Sequence, residues 1–167
     1  MNALPDPLHP AIVHFPIVLI LLGTVVAAVA VFWRKHQMPV IAAVLLAIGA
    51  IGTWVAVETG KSDGGLVESA SPQVESLLDS HEDWAKRTLT VATIAAVVAA
   101  VSVGLVRFPR AARAAGALAA VIALAASYAV YETGHRGGAL VYKHAAGVST
   151  NSTQAAVTTN EREGDRD

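Results

Sequence analysis

The chain has 167 residues, of which 54% are hydrophobic and only 15% charged, with a formal net charge of −1 and no cysteine. Soluble domains average about 25% charged residues, and the shortage here is concentrated in four runs without Asp, Glu, Lys or Arg: Ala11–Trp33, Met38–Val57, Thr88–Val106 and Ala114–Tyr131. Each run approaches the ~20 residues that cross a hydrocarbon core as a helix, which argues against a soluble enzyme, a nucleic-acid binder and a disordered chain; the missing thiols exclude disulfides, iron–sulfur clusters, covalent c-type haem and thiolate nucleophiles.

The leader Met1–His9 has no basic residue, and the apolar run behind it is too long for a signal-peptide core. It therefore reads as a retained first span. The expected fold is all-α, a polytopic four-transmembrane-helix bundle over residues 1–148, with helices at about 11–33, 38–57, 84–106 and 112–132. The polar tail 149–167 is expected to be disordered.

The connections set an expected orientation. Two short loops carry Arg34, Lys35, Arg107, Arg110 and Arg113 without an acid, whereas the loop from Glu58 to Arg87 holds seven acids against three cations. Lys and Arg mark cytoplasmic loops, so both termini and the long loops are expected outside a bacterial inner membrane. Trp33 and Phe108 then mark the inner interface, and Trp54, Trp84, Tyr128 and Tyr131 the outer one.

Small residues recur every four positions in the last two runs: Ala92, Ala96, Ala100 and Gly104, then Ala111, Ala115, Ala119, Ala123 and Ser127. Such stripes let membrane helices approach closely, and they predict a bundle middle with little room for a cofactor. A second pattern is a repeat. Trp54–Val67 and Tyr128–Val141 share Glu58/Glu132, Thr59/Thr133, Gly60/Gly134, Gly64/Gly138, Leu66/Leu140 and Val67/Val141 at an offset of 74. Both copies end an even-numbered helix, and His9 and His81 open the odd-numbered ones. Two pseudo-repeated helical hairpins of like topology are expected.

Candidate chemistry collects at one side. His9, His14, His81, His135 and His144 fall at the outer ends of the runs, and His36 alone falls at the inner side. His14 stands inside a run, and an intramembrane ionisable group is a functional candidate by default, although a single imidazole more often hydrogen-bonds a neighbouring helix. His9 reads equally well as a plain interfacial residue. Glu58 and Glu132 precede Thr-Gly pairs that can cap helix ends, where a carboxylate opposes the dipole. Each needs a partner: a histidine N–H behind a ligand, or one of Lys61, Lys86, Arg87 and Arg136. Convergence of His14, His81, His135, Glu58 and Glu132 on one outer pocket is the geometric expectation. The glycines Gly64, Gly65, Gly137 and Gly138 read as turns or as places where backbone approaches a flat ring. Ser71–Pro72 reads as a helix start lying along the outer surface, and Ala139–Ala146 as a short separate helix.

The opening His9-Pro10-Ala11-Ile12-Val13-His14-Phe15-Pro16 and the closing Thr133-Gly134-His135-Arg136-Gly137-Gly138 with Leu140-Val141-Tyr142-Lys143-His144 resemble the signatures of a bacterial membrane family catalogued as domain-of-unknown-function family 2231. His144 is followed by Ala145-Ala146-Gly147-Val148, where that family commonly has glycine directly after the histidine. The resemblance implies a four-helix integral membrane domain, sometimes beside redox modules, and no established activity.

Three functions are expected to compete. The first is a b-type haem for electron transfer near the outer face, with His14 and one of His81, His135 or His144 as axial ligands and Arg136, Lys143 or Lys61 meeting the propionates. The second is a non-enzymatic module, its His/Glu cluster an interhelical hydrogen-bond network, that docks a membrane or periplasmic redox protein. A zinc or copper site on the same histidines with Glu58 or Glu132 ranks behind both, because no pair is spaced to share a helical face. No nucleophile or nucleotide loop points to an enzyme. The oligomeric state is not written in the sequence.

Overall fold

The computed structural model describes residues 9–33, 37–64 and 71–144. Helix α1 (His9–Ile12) and helix α2 (His14–Phe32) form one rod with a break at Val13. Val13 keeps helical angles, and its amide still reaches the His9 carbonyl at 3.1 Å. Pro16 explains the break: without an N–H it cannot bond the Ile12 carbonyl. Helix α3 spans Met38–Gly64 and helix α4 spans Pro72–Gly104, with Pro72 at the first helical position as expected. A single 3₁₀ turn, Leu105–Arg107, leads to helix α5 (Pro109–His144).

Helices α2 and α3 share one extensive interface and α4 and α5 a larger one; contacts of α3 with α4 and of α2 with α5 close a four-membered ring. Side-chain size is inverted relative to a water-soluble bundle. Alanines fill the interior, among them Ala92, Ala95, Ala123 and Ala126, and among the described residues only two large side chains, Ile20 and Leu46, are fully buried. The bulky residues Leu21, Val25, Ile48, Ile51, Val97 and Leu124 face outward. A monomer in water rarely exposes so much contiguous apolar surface, whereas lipid tails solvate it. Among the described residues, four helices are long and apolar enough to cross a membrane.

Small residues set the spacing of α2 and α3. A methyl group at Gly49 would lie 3.0 Å from Ile20 Cγ1 and 3.3 Å from the Ile20 backbone nitrogen, and one at Gly23 would lie 3.1 Å from Leu46. The α4–α5 stripes run differently from the expected four-residue rows. Ala92, Ala95, Ala96, Ala99 and Ser102 are buried on α4, while Ala100 and Gly104 are exposed. On α5, Ala119, Ala123, Ala126 and Val130 are buried and Ala111 is exposed. At 3.6 residues per turn, a step of four overshoots a full turn by about 40°, so a strict four-residue row winds off the contact. The middle is closely packed, with Ile20, Leu46, Ala92 and Ala123 wholly buried; a partly open hollow of about 20 Å³, room for one water, lies toward the end where α2 stops and α3 starts, beside Ala30, Val31 and Pro39. Polar cross-ties occur even in the packed middle. The Thr24 hydroxyl reaches the carbonyls of Ile20 (2.8 Å) and Ala123 (3.1 Å) and lies 2.9 Å from Ser127 Oγ.

The helix ends overrun the expectation. Helix α3 continues through the Thr59-Gly60 pair, and α5 through Thr133-Gly134, so neither pair caps a helix. Thr59 and Thr133 bond back to carbonyls of their own helices, Val55 at 3.1 Å and Ala129 at 2.8 Å, which leaves the helical ladder intact. Pro72–Leu78 is not a surface helix but the start of α4, and Ala139–His144 is the end of α5. Packing holds these polar extensions together: Val74 and Leu140 are buried there. Gly65, His36 and the tail beyond His144 lie outside the described residues.

Candidate functional site: a histidine pair at one end of the bundle

The site is built at the end of the ring where α1 begins and where the polar parts of α3, α4 and α5 lie. His9, in α1, places Nδ1 2.8 Å from the Ala56 carbonyl of α3, with Thr59 Oγ1 3.5 Å from the same nitrogen. His81, in α4, places Nδ1 3.0 Å from the Thr133 carbonyl of α5. A carbonyl oxygen only accepts, so each Nδ1 carries the proton and Nε2 is the basic nitrogen of the neutral ring. The rings meet edge to face, with centroids 6.2 Å apart and planes at 87°. They arrive from the two helices that face each other across the ring, and so close its axis.

Glycine makes the seats. A methyl group at Gly60 would fall 3.0 Å from His9 Cε1, and one at Gly137 would fall 3.0 Å from His81 Cε1. Gly137 is therefore helical and serves close approach, the flat ring being the protein's own. The Thr133 hydroxyl adds a bond of 2.9 Å to Thr88 Oγ1, tying α5 to α4 a second time. His81 lies seven residues before the uncharged run that starts at Thr88, outside the membrane-spanning segment. Burial holds its imidazole below the ordinary histidine value; the Thr133 carbonyl opposes this, His9 and Arg136 reinforce it, and Glu82 opposes it.

Around this pair lies a shell of charge and aromatic rings. Arg136 Nε donates to Ser80 Oγ at 2.8 Å, and its Nη1 donates to the Glu132 carboxylate and, at 3.1 Å, to the Glu132 carbonyl. The Trp84 ring has the Arg136 guanidinium 4.9 Å and the Arg87 guanidinium 5.0 Å from its centroid, and Tyr128 packs edge-on at 6.0 Å. Glu58 pairs with Lys61 at 2.8 Å on the exposed side of α3. Both glutamates thus find cations of their own helices rather than histidines. Neither stands in the last turn, so neither opposes a helix dipole there.

The candidates do not form one pocket. His81 and Arg136 belong to the cluster, with Glu132 beside Arg136. His14 is exposed and bonds the Pro10 carbonyl of its own rod at 2.9 Å. His135 is exposed and stacks on Tyr131 at 6.1 Å, and His144 is exposed at the end of α5. Among the described residues, no group of three or more His, Cys, Asp or Glu side chains could hold a metal ion. The expectation undervalued His9. Its signal was present, since His9 and His81 each precede an apolar run, the first and the third.

A family model described as a predicted membrane protein, domain-of-unknown-function family 2231, matches residues 5–150. The chain belongs to this family. The match takes in the His9–His81 pair together with both glycine seats, so the whole closed end of the bundle lies within the family 2231 region. No curated protein and no solved structure matches the chain.

Proposed function

We propose that the chain is a non-enzymatic membrane module whose histidine end is locked by interhelical hydrogen bonds and whose helical extensions dock a partner, a redox protein of the membrane or periplasm. One observation carries this reading: His9 and His81 each bond the carbonyl of a neighbouring helix and meet ring to ring at 6.2 Å. Glycine seats against both rings favour a packed lock over a ligand slot. The extensions are long enough for docking, since α4 has 33 residues and α5 has 36, while about 20 suffice to cross the bilayer. In this reading the helices are two hairpins of like design, each tying its first histidine to its second helix.

A second reading keeps b-type haem, with His14 and a histidine of α5 as axial ligands. It is favoured by the ring of His14, which is exposed and has its Nδ1 proton held by a backbone carbonyl, leaving Nε2 as the donor for iron. Zinc and copper usually take three or four protein ligands, which these residues do not offer. Absorption spectra of detergent-purified protein, produced with ample haem and metals, separate the readings. The locked module gives no Soret band, with or without dithionite, and no stoichiometric metal. A Soret band that shifts on reduction and disappears in His14→Ala overturns it.

We also place the histidine end outside an inner membrane, because the five cations of the two short loops mark the cytoplasmic side. Reporter fusions after residues 36 and 110 should report cytoplasm, and fusions near 70 and 150 the opposite side. Reversed signals would reject the orientation.

A further inference from the structure

One face of α4 crosses the membrane boundary with its charges in a set order. Asp83, Lys86, Arg87, Thr90 and Val91 line an open hollow there. The uncharged run begins at Thr88, so Asp83 stands outermost and Val91 nearest the hydrocarbon. We propose that this hollow seats the headgroup of a zwitterionic aminophospholipid, phosphatidylethanolamine, with Arg87 on its phosphate and Asp83 on its ammonium. No histidine takes part, so the seat is independent of the locked-module reading.

Lys86 is engaged by Glu82 at 3.1 Å. That leaves one anion and one cation in the hollow, Asp83 and Arg87, and neither forms an ion pair among the described residues. They stand about one turn apart on α4 yet do not pair with each other. The Arg87 guanidinium lies over Trp84 instead, 5.0 Å from the ring centroid. Tryptophan at a membrane boundary sits at headgroup level, and the cation–π contact holds the guanidinium at that depth, where its planar fork suits phosphate oxygens. Thr90 does not compete for the phosphate, because its hydroxyl donates to the Lys86 carbonyl at 2.9 Å.

The order of groups in the lipid matches the order along the helix. In phosphatidylethanolamine the phosphate lies between the acyl chains and the amine. Asp83 lies four residues outside Arg87, about 6 Å at 1.5 Å per residue. Asp83, Arg87, Ile94 and Val101 fall within about 40° of rotation on α4. Ile94 and Val101 are exposed, so an acyl chain can run down this stripe from the headgroup. A purely anionic headgroup would meet Arg87 but would also press against Asp83. A choline headgroup has no N–H to donate to the Asp83 carboxylate.

Native mass spectrometry of the full-length protein tests the seat. Detergent-purified protein is offered equal amounts of phosphatidylethanolamine, phosphatidylcholine and phosphatidylglycerol with identical acyl chains, and the retained lipid is read. Phosphatidylethanolamine should be retained about fivefold over each of the others, the order that one exposed ion pair supplies. Asp83→Asn should bring phosphatidylethanolamine level with phosphatidylcholine, and Arg87→Gln should lower the retention of all three. Asp79→Asn, exposed one turn before the hollow, should leave the ranking unchanged. Equal retention by the parent protein, a preference for phosphatidylglycerol, or an ethanolamine preference that survives Asp83→Asn overturns the seat. The ranking given by the parent decides by itself if a variant fails to fold.

Discussion

Gly49→Leu is expected to separate α2 from α3 and to cost at least the 1–3 kcal/mol typical of an overpacked core. The position has no slack. Even a methyl group there would press on the Ile20 backbone nitrogen at 3.3 Å as well as on its side chain at 3.0 Å. A side chain can change rotamer, but a backbone can yield only if the whole helix moves. Separating the helices would unpack Ile20 of α2 from Leu46 of α3, the two large side chains that are fully buried among the described residues. Gly104→Leu is the matched control, because nothing lies within 4 Å of its added atom and the position is exposed. Its effect should stay within about 0.5 kcal/mol. Reversible unfolding in mixed micelles would measure both. Similar stabilities for the two variants would mean that α2 and α3 do not pack at Gly49.

The second large effect is a change of sign between two glycines of one helix turn. Gly134→Ala meets open space and should stabilise α5 by up to the ~1 kcal/mol that alanine gains over glycine in a helix. Gly137→Ala, three residues on, thrusts a methyl group to 3.0 Å from His81 Cε1. The ring must give way, which strains or breaks its 3.0 Å bond to the Thr133 carbonyl. A part-buried imidazole N–H left without its acceptor costs up to about 1–3 kcal/mol, so the net change should be destabilising. Gly60→Ala should act in the same direction through His9 and the Ala56 carbonyl. If both alanine variants on α5 stabilise alike, the ring does not rest on Gly137.

These contrasts also show what could be read in advance. The four spans were legible because the cost of charge in lipid leaves long runs with no acid or base. The ends were not, because Thr59 and Thr133 can satisfy themselves on their own helix, and a Thr-Gly pair looks the same whether it caps a helix or seats a ring. The small-residue stripes were legible as composition but not as direction, since their true course depends on how two helices wind about each other. The histidines divide on the same ground. His14 drew the eye because it sits inside an apolar run. Yet five residues along a helix amount to about 140° of rotation, so once His9 faces the axis His14 must face away from it. Which of the two faces inward is decided by Ala56, Thr59 and Gly60, some fifty positions downstream.

The alanine seam between α4 and α5 has a consequence for how that pair finds its alignment. Ala92, Ala95, Ala96 and Ala99 face Ala119, Ala123 and Ala126 in one cluster, and alanine loses no rotamer freedom on burial, so the seam can close without ordering side chains. Identical knobs are also interchangeable. Sliding one helix along the other by a turn would set alanine against alanine again at nearly the same contact energy, so the seam alone is degenerate in register. What distinguishes one sliding position from the next is the group of unlike residues at one end: His81 on Thr133, Thr88 on Thr133, and Arg136 on Ser80. The polar end is thus a vernier for an otherwise featureless scale. Helices α4 and α5 can associate anywhere along their length, but they settle only where those three bonds come into line.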